Sequence, residues 1–461
     1  MATLPYFVLS PNTVVSLLGL MRGPDRTVPT PAEDWREAVV DVVIPALNEE
    51  RNIPLCLSSL ARQTLKPRNI ILVDDGSGDR TCEFARDFAA SIGMELTVIQ
   101  RRSPIGKTPT IKRQAREFDS DVEFILDGDT VLESENYLAR VVEELYKGAG
   151  IASACGTILP IREVDRKQVM ADPAMAGFLE THPPEAFLHQ GGRLSLLRKK
   201  ITNAYRDVLY RFLQRFIYRG QMTFFGTITN PVGCAVAYRR RYIKELFDHY
   251  EPILGDDLTN SEDIFIGFAL LDQGYRNIQL MDIVARSTEP EVNRLPRQVY
   301  LWSSSFLQSC YYFDDLLRSP FKGLRRLRQR WREKGVEDEG RNRRRIQEAY
   351  RQPFGIDHSR KYGRPMGWIL LTSAAEKIFF PTAVVIMVLL GLWEALVVTL
   401  IAETAVAVAT LAIISPGRRI RAFFQGLATT PLRYSLLIWD FAVIGRFASD
   451  LWISKDRRWR K

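Results

Sequence analysis

The chain has 461 residues, enough for two or three modules rather than one core. Its five cysteines (Cys56, Cys82, Cys155, Cys234, Cys310) contain no Cys-x-x-Cys pair, which argues against a zinc ribbon or a secreted disulfide framework, and four histidines leave little for a His-rich metal centre. A formal charge of +9 points to an anionic partner (nucleic acid, membrane surface or phosphate-bearing substrate), and roughly the last hundred residues are far more apolar than the rest.

Residues Pro5–Met21 are apolar but broken by Pro5, Pro11 and Asn12, with no basic flank before them, so they do not read as a signal peptide. The expectation is an interfacial helix lying on a membrane, or a plain packing helix, followed by a Pro-rich linker at Gly23–Pro31. From Ala38 the pattern alternates strand, loop and helix: a strand at Val39–Ile44, a helix opening at Asn48–Arg51, a strand at Asn69–Val73, a helix through Phe84–Ile92 and a strand at Glu95–Ile99. Such alternation predicts an α/β domain with a doubly wound, mainly parallel sheet.

Two acidic loops stand at strand ends. Asp74-Asp75-Gly76-Ser77-Gly78-Asp79 clusters carboxylates and a hydroxyl that can address a nucleobase, a ribose or a metal-bound water, while Ser77 or Asp79 can equally cap the next helix. Asp127-Gly128-Asp129 ends the apolar strand Val122–Leu126, at the carboxyl edge where open α/β sheets bind ligands. Two oxygens flanking a glycine suit Mg²⁺ or Mn²⁺ with phosphates and water completing the shell, although the tripeptide alone is common in plain turns. Lys107 in the intervening loop can meet a phosphate or simply face solvent.

Taken together, Val42–Glu50, Val73–Asp79 and Asp127–Asp129 resemble the family 2 glycosyltransferases of the GT-A fold, in the right order and spacing. The resemblance implies that Pro45, Asn48, Glu49, Asp74 and Asp75 hold the uracil and ribose of a UDP-sugar, with Lys107 also on the donor side. It implies that Asp127 and Asp129 hold the diphosphate through Mg²⁺ or Mn²⁺. Asn230–Arg240, containing Gly233, Cys234 and Tyr238-Arg239-Arg240, is similar to the acceptor-side strand of membrane polysaccharide synthases of the hyaluronan, cellulose and chitin type; Cys234 also suits a small core residue. Ser261-Glu262-Asp263 stands where the family has Thr-Glu-Asp, which implies Asp263 as catalytic base with Glu262 beside it, and an N-cap role for Ser261 is compatible. Gly255-Asp256-Asp257 is a rival for that role.

Gln298-Val299-Tyr300-Leu301-Trp302 occupies the place of Gln-x-x-Arg-Trp. On a helix Gln298 and Trp302 share a face, and the resemblance implies that they address the diphosphate and a sugar. A core Trp on an amphipathic helix is the plainer alternative. Leu301 replaces the family's arginine, and Arg294 and Arg297 are the nearby candidates to compensate.

Between these motifs, a strand is expected at Ile151–Ile158 and an insert at about 160–221. Within the insert, Arg206–Tyr218 reads as an amphipathic helix, packed on the domain or lying on a membrane surface. Arg318–Arg345 carries twelve Lys/Arg against four Asp/Glu, which suits anionic headgroups better than nucleic acid, since no nucleic-acid motif accompanies it. Gly367–Leu392 and Ala395–Ile414 each approach the roughly 20 residues of a membrane span. Glu376, Lys377 and Glu403 inside them should face protein, headgroups or a cavity. Basic residues at Arg360–Arg364 and Arg418–Arg421 predict an in–out–in hairpin in the inner membrane, with the catalytic domain cytoplasmic. A third run at Pro431–Ile453 reads as interfacial or re-entrant.

The expected division is 1–37 interfacial segment and linker, 38–310 glycosyltransferase domain, 311–365 basic region and 366–461 membrane helices. The expected activity is inverting, metal-dependent transfer from a UDP-sugar to a polysaccharide or glycolipid acceptor. Transfer to a polyprenyl phosphate, or a silent sugar-nucleotide-binding scaffold, are the alternatives. Membrane lipids are expected partners, a secretion partner remains open, and no nucleic acid is expected.

Overall fold

The computed structural model describes residues 11–22, 34–148, 150–254, 261–333 and 355–454. A mixed sheet of eight strands forms the centre: β1 (Val40–Ala46), β2 (Asn69–Asp74), β3 (Thr97–Gln100), β4 (Val122–Leu126), β5 (Thr130–Leu132), β6 (Ile151–Pro160), β7 (Ala235–Arg239) and β8 (Arg276–Ser287). Their spatial order is β3-β2-β1-β4-β7-β6-β8-β5. Strands β3, β2, β1 and β4 run parallel, β7 is antiparallel to both neighbours, β6 and β8 are parallel, and β5 closes the edge antiparallel to β8. The expected α/β sheet is therefore present, with antiparallel strands on one side. β1 and β4 are mainly apolar and buried on both faces, with Asp41 and Glu123 buried among the apolar residues: every residue of β4 is buried.

Boundaries differ from expectation where loops carry polar ligand-type residues. The first helix begins at Ile53 rather than at Asn48–Arg51, because Asn48 adopts a left-handed backbone (φ 59°) and holds the loop apart from the helix. The third strand starts at Thr97, not Glu95. β8 was not expected; its polar residues Asn277 and Gln279 are buried and satisfied by backbone partners.

The insert wraps the sheet with the helices Glu163–Met170, Ala176–Thr181 and Arg193–Phe212, the last continuing through a π-turn at Leu213–Tyr218 into Arg219–Phe225. The π-turn has a local cause. Gln214 is buried and exchanges bonds with Ile158, its Oε1 accepting from the backbone N–H at 2.8 Å and its Nε2 donating to the carbonyl at 2.9 Å. It thus completes strand pairing that β6 lacks beside its irregular register with β8. Leu209, Phe212, Leu213 and Phe216 turn into the core, as the periodicity requires.

The Pro11–Arg22 helix crosses Arg219–Phe225 so closely that a Cβ on Gly220 would stand 2.5 Å from Ser16 Cα. Its Asn12 donates to Ser373 and Glu376, while Val14, Leu17, Leu18 and Met21 remain exposed along the other side. Residues 5–10 and the linker at 23–31 lie outside the described residues.

At the C-terminus, Gly367–Leu389 and Trp393–Ile413 are two helices long and apolar enough to cross a membrane. The third apolar run is part of one 34-residue helix, Arg419–Trp452, about 51 Å long at 1.5 Å per residue. The three expected charged residues, Glu376, Lys377 and Glu403, face protein: Glu376 accepts from Asn12. Lys377 meets Asp440 at 2.7 Å and Ser303 at 2.8 Å, all three buried, and Glu403 pairs with Arg433 and Tyr434. Ser303 belongs to the Leu295–Tyr312 helix, so these bonds fasten the C-terminal helices to the α/β domain.

Candidate active site

Strand register brings the acidic loops to one edge. Ala46 of β1 lies opposite Asp74 of β2, and Leu126 of β4 lies opposite Ala235 of β7. The loops after β1, β2 and β4 and the loop before β7 therefore open side by side, and Thr130 opposite Ser287 brings the end of β8 to the same place. Asp127 N–H donates to Cys234 O at 2.9 Å and Gly128 N–H to Pro45 O at 3.2 Å. A Cβ on Gly128 would stand 3.1 Å from Ala46 Cβ, so glycine lets the Asp-Gly-Asp turn lie against β1.

The first two loops form one unit. Asn48 N–H donates to Ser77 Oγ at 2.8 Å, and Gly78 N–H returns a bond to Asn48 Oδ1 at 3.0 Å. Asp74 is fully buried and accepts from the Ser77 hydroxyl and N–H. Asp75 accepts from Arg101, from Ile105 N–H and from Gly106 N–H at 2.8–2.9 Å, which fixes the loop that delivers Lys107. Asp79 does act as a cap, accepting from Thr81 N–H at 3.0 Å.

Lys107 is neither free in solvent nor open to one side only. Its Nζ lies 2.6 Å from Asp127 Oδ1, 2.7 Å from Glu262 Oε1 and 3.0 Å from Gly233 O. It ties the Asp-Gly-Asp turn to the Ser-Glu-Asp segment across the cleft. Burial and the neighbouring carboxylates Asp129 and Glu262 push the Asp127 acid up to about 7 against the pull of Lys107. Burial likewise raises Asp129, which accepts from the Thr130 and Ser287 hydroxyls at 3.1 and 3.3 Å. Glu49 beside them is pushed up to about 8 by burial and by Asp129. Carboxylates this crowded suit a divalent cation. Among the described residues no three His, Cys, Asp or Glu side chains form a cation cage.

Asp263 stands in the first turn of the Glu262–Gln273 helix. Its Oδ1 accepts from Ser261 Oγ at 2.6 Å and Ile264 N–H at 2.8 Å, and its Oδ2 from Gly233 N–H at 3.3 Å. Ser261 occupies the N-cap position but donates to Asp263 instead of accepting from the helix. A Cβ on Gly233 would stand 2.8 Å from Asp263 Cβ, so the Gly233-Cys234 loop lies directly against this carboxylate. The rival Gly255-Asp256-Asp257 lies outside the described residues.

Gln298 and Trp302 both meet a residue that sequence reasoning missed. Arg206, from the Arg193–Phe212 helix, is 1 % exposed; it donates to Gln298 Oε1, lies 4.4 Å from the Trp302 ring centroid and pairs with Glu289 at 3.2 Å. Tyr210 donates to the same Glu289 at 2.6 Å. Arg294 and Arg297, the expected substitutes for the arginine that Leu301 displaces, are exposed; the guanidinium beside Gln298 and Trp302 comes from the insert. Arg166 was missed too. It is buried, bonds Asn52, Thr288 and the Phe187 carbonyl, and is lowered by burial near Asp129 and Glu49. Neither arginine sits in a motif; only contacts over long sequence distances expose them.

Residues 41–247 match the family model for glycosyl transferase family 2. Among curated relatives, the 4,4'-diaponeurosporenoate glycosyltransferase of Staphylococcus haemolyticus is 33% identical over 104 residues, covering 23% of this chain and 28% of that protein. The undecaprenyl-phosphate 4-deoxy-4-formamido-L-arabinose transferase of Pectobacterium carotovorum is 27% identical over 168 residues, 36% of this chain and 50% of that one. The chain thus spans half or less of the length of these two relatives. Among solved structures, a mannosyltransferase from Pyrobaculum calidifontis in complex with GDP-Man and Mn²⁺ is 16% identical, covers 96% of both chains and superposes with a TM-score of 0.48.

Proposed function

From a chain whose residues 41–247 match the family 2 glycosyl transferase model, we propose a membrane-associated enzyme that transfers a sugar, with inversion, from a UDP-sugar to a hydroxyl or phosphate on a lipid or glycan acceptor. The observation that carries this reading is the Lys107 bridge, which holds Asp127 and Glu262, neighbour of Asp263, on opposite sides of one cleft.

In the proposed reaction the unit formed by Asn48, Asp74, Asp75 and Ser77 receives the uridine. Asp127 and Asp129 hold the divalent cation, which when bound offsets charge on the diphosphate. Lys107, between two carboxylates, carries a fixed positive charge to the same place, where preorganised charge acts on the departing group without reorganisation. Asp263, oriented by Ser261, Ile264 and Gly233, takes the proton from an acceptor hydroxyl as its oxygen attacks the anomeric carbon from the face opposite the diphosphate. An acceptor phosphate would already be ionised and would need no base. Trp302 lies against Arg206 with its ring half-buried, which leaves a surface for a sugar.

The two long apolar helices, with Phe379, Leu389, Val398 and Ile401 exposed along them, support membrane association, and so does the Gly323–Glu333 helix. Phe321, Leu324, Leu327 and Trp331 recur at helical spacing on or just before that helix, exposed among arginines, as an interfacial segment requires.

The test is UDP release by the purified, detergent-solubilised protein across a panel of UDP-sugars with Mn²⁺ or Mg²⁺, beside Asp263→Asn and Asp129→Ala. Release with one sugar, lost in both variants, supports transfer. Nucleotide binding without turnover, even with membrane extract as acceptor, favours the scaffold, and no UDP binding at all sinks the proposal.

A further inference from the structure

A second cavity, of about 690 Å³, lies between the Arg193–Phe212 helix, the segment after β6 and the start of the Arg419–Trp452 helix. Seven of its lining residues are Lys or Arg and two are Glu or Asp. The two acids do not neutralise it. Asp207 is already shared between Arg211 at 3.0 Å and Arg418 at 4.0 Å, and Glu163 accepts from His189 N–H. Arg162 and Arg286 are satisfied by Asp165 and Glu133 outside the cavity. Among the described residues, Lys199, Lys200 and Arg421 have no ion-pair partner. Cations gathered in this way lower the Lys199 ammonium, through burial and through Arg166, and the Arg418 guanidinium, through burial and through Arg211.

The walls also tell which anion fits. Leu196, Phe424 and the aliphatic side of Ile161 line the same space. Val164 and Phe424, both lining the space, are exposed at its mouth, with Leu196 half-buried between them. The cavity is therefore cationic inside and apolar at its rim. Arg418 and Arg421 follow directly on the apolar Trp393–Ile413 helix, so the cavity sits where the polar headgroups of a bilayer would end. Asn203 also lines it, with a buried Oδ1 that accepts no hydrogen bond among the described residues and suits a headgroup hydroxyl.

We propose that this cavity is a binding site for a lipid-borne phosphate, with Lys199, Lys200 and Arg421 engaging the phosphate and Val164, Leu196 and Phe424 engaging the chains. It rests on the membrane association argued above, but on no step of the transfer reaction. The phosphate can belong to a bilayer phospholipid or to a polyisoprenyl phosphate; both present the same group on an apolar chain. Arg286 on β8 pairs with Val131 of β5, two residues from Asp129, so a lipid in the cavity reaches the rear of the catalytic edge.

The test uses the full chain in a neutral detergent and titrates dioctanoyl phosphatidylglycerol, farnesyl phosphate, farnesol and inorganic phosphate by calorimetry. Wild type, Lys199→Gln/Lys200→Gln, the exposed single variant Lys200→Gln and the charge control Arg113→Gln, on the Lys107–Glu117 helix outside the cavity, are compared. The expected result is saturable binding of one or both phosphate lipids, weakened about tenfold or more in the double variant and several-fold in Lys200→Gln, with Arg113→Gln unchanged. Preference for farnesyl phosphate assigns the cavity to an isoprenoid carrier, and equal or better binding of phosphatidylglycerol assigns it to the bilayer. Binding of farnesol as tight as farnesyl phosphate, inorganic phosphate as tight as either lipid, or lipid binding untouched in both Lys variants overturns the proposal. UDP affinity measured on the same samples reports the transferase separately, so failure of one reading is not failure of the other.

Discussion

The guanidinium of Arg206 lies over the indole of Trp302, 4.4 Å from the ring centroid, and is held there by its ion pair with Glu289. The two residues come from the insert and from the helix after β8, so the insert is stitched to the site by one buried cation. Truncating Arg206 to Met leaves Glu289 buried and uncompensated, and burial already raises its acid. The expected loss is about 3–5 kcal/mol for the single variant, with much of it recovered in Arg206→Met/Glu289→Gln. Denaturant unfolding of the two variants checks this, and a double variant no more stable than the single one contradicts it.

Lys107→Met should fold, since the side chain is held by polar contacts rather than core packing, but should lose turnover. Removing one preorganised charge from a developing anion costs about 10²–10³ in kcat. Steady-state UDP release would show the drop with Km for the acceptor little changed. A loss confined to acceptor Km would place Lys107 on the acceptor side instead.

Gly233→Ala and Gly78→Ala make a paired test of backbone approach. The methyl at 233 would meet Asp263 Cβ at 2.8 Å, whereas nothing lies within 4 Å of a Cβ on Gly78. The first should cost at least tenfold in turnover by displacing the proposed base, and the second should leave the rate within a factor of two or three. The comparison is read as kcat beside melting temperature.

Protein stripped of divalent cations should be less stable at pH 8 than at pH 5. Glu49 titrates at about 8 in the fold and at an ordinary 4.5 when unfolded, because burial and Asp129 disfavour its anion. Between those values the native state holds a proton the unfolded chain has lost, so its contribution is full below 4.5 and lost as pH rises through 8. Glu49→Gln should flatten this slope, and Mn²⁺ should raise the melting temperature more at pH 8 than at pH 6. A melting temperature independent of pH over this range would contradict the crowding of charge described here.

What was legible in the sequence was local. Asp74–Asp79 and Asp127–Asp129 announce themselves because a strand must end before a loop can present carboxylates, and β1, β2 and β4 are mainly apolar, each broken by few polar residues such as Asp41 and Glu123. The two C-terminal apolar helices were legible for the same reason. What escaped was carried by distance: Arg206 meets Gln298 across 92 positions and Lys107 meets Gly233 across 126. No spacing rule reaches that far, and Arg206 looked in sequence like any of the arginines repeating along an amphipathic helix. β8 was hidden because its buried Asn277 and Gln279 break the apolar signature of a strand, their amides being answered only by partners elsewhere in the fold.

The Lys377–Asp440–Ser303 cluster has a practical corollary. Ser303 is on the α/β-domain side of the cluster, and Lys377 and Asp440 are on two different C-terminal helices. Cutting the chain after Tyr312 to obtain a detergent-free protein would strip the C-terminal helices from the Leu295–Tyr312 helix and leave Tyr300, Ser303 and Cys310, which face Arg446, Asp440 and Lys377, open to water. The truncated product should precipitate, so that crystallisation, assay and screening all have to begin from the intact chain in a lipid-like medium.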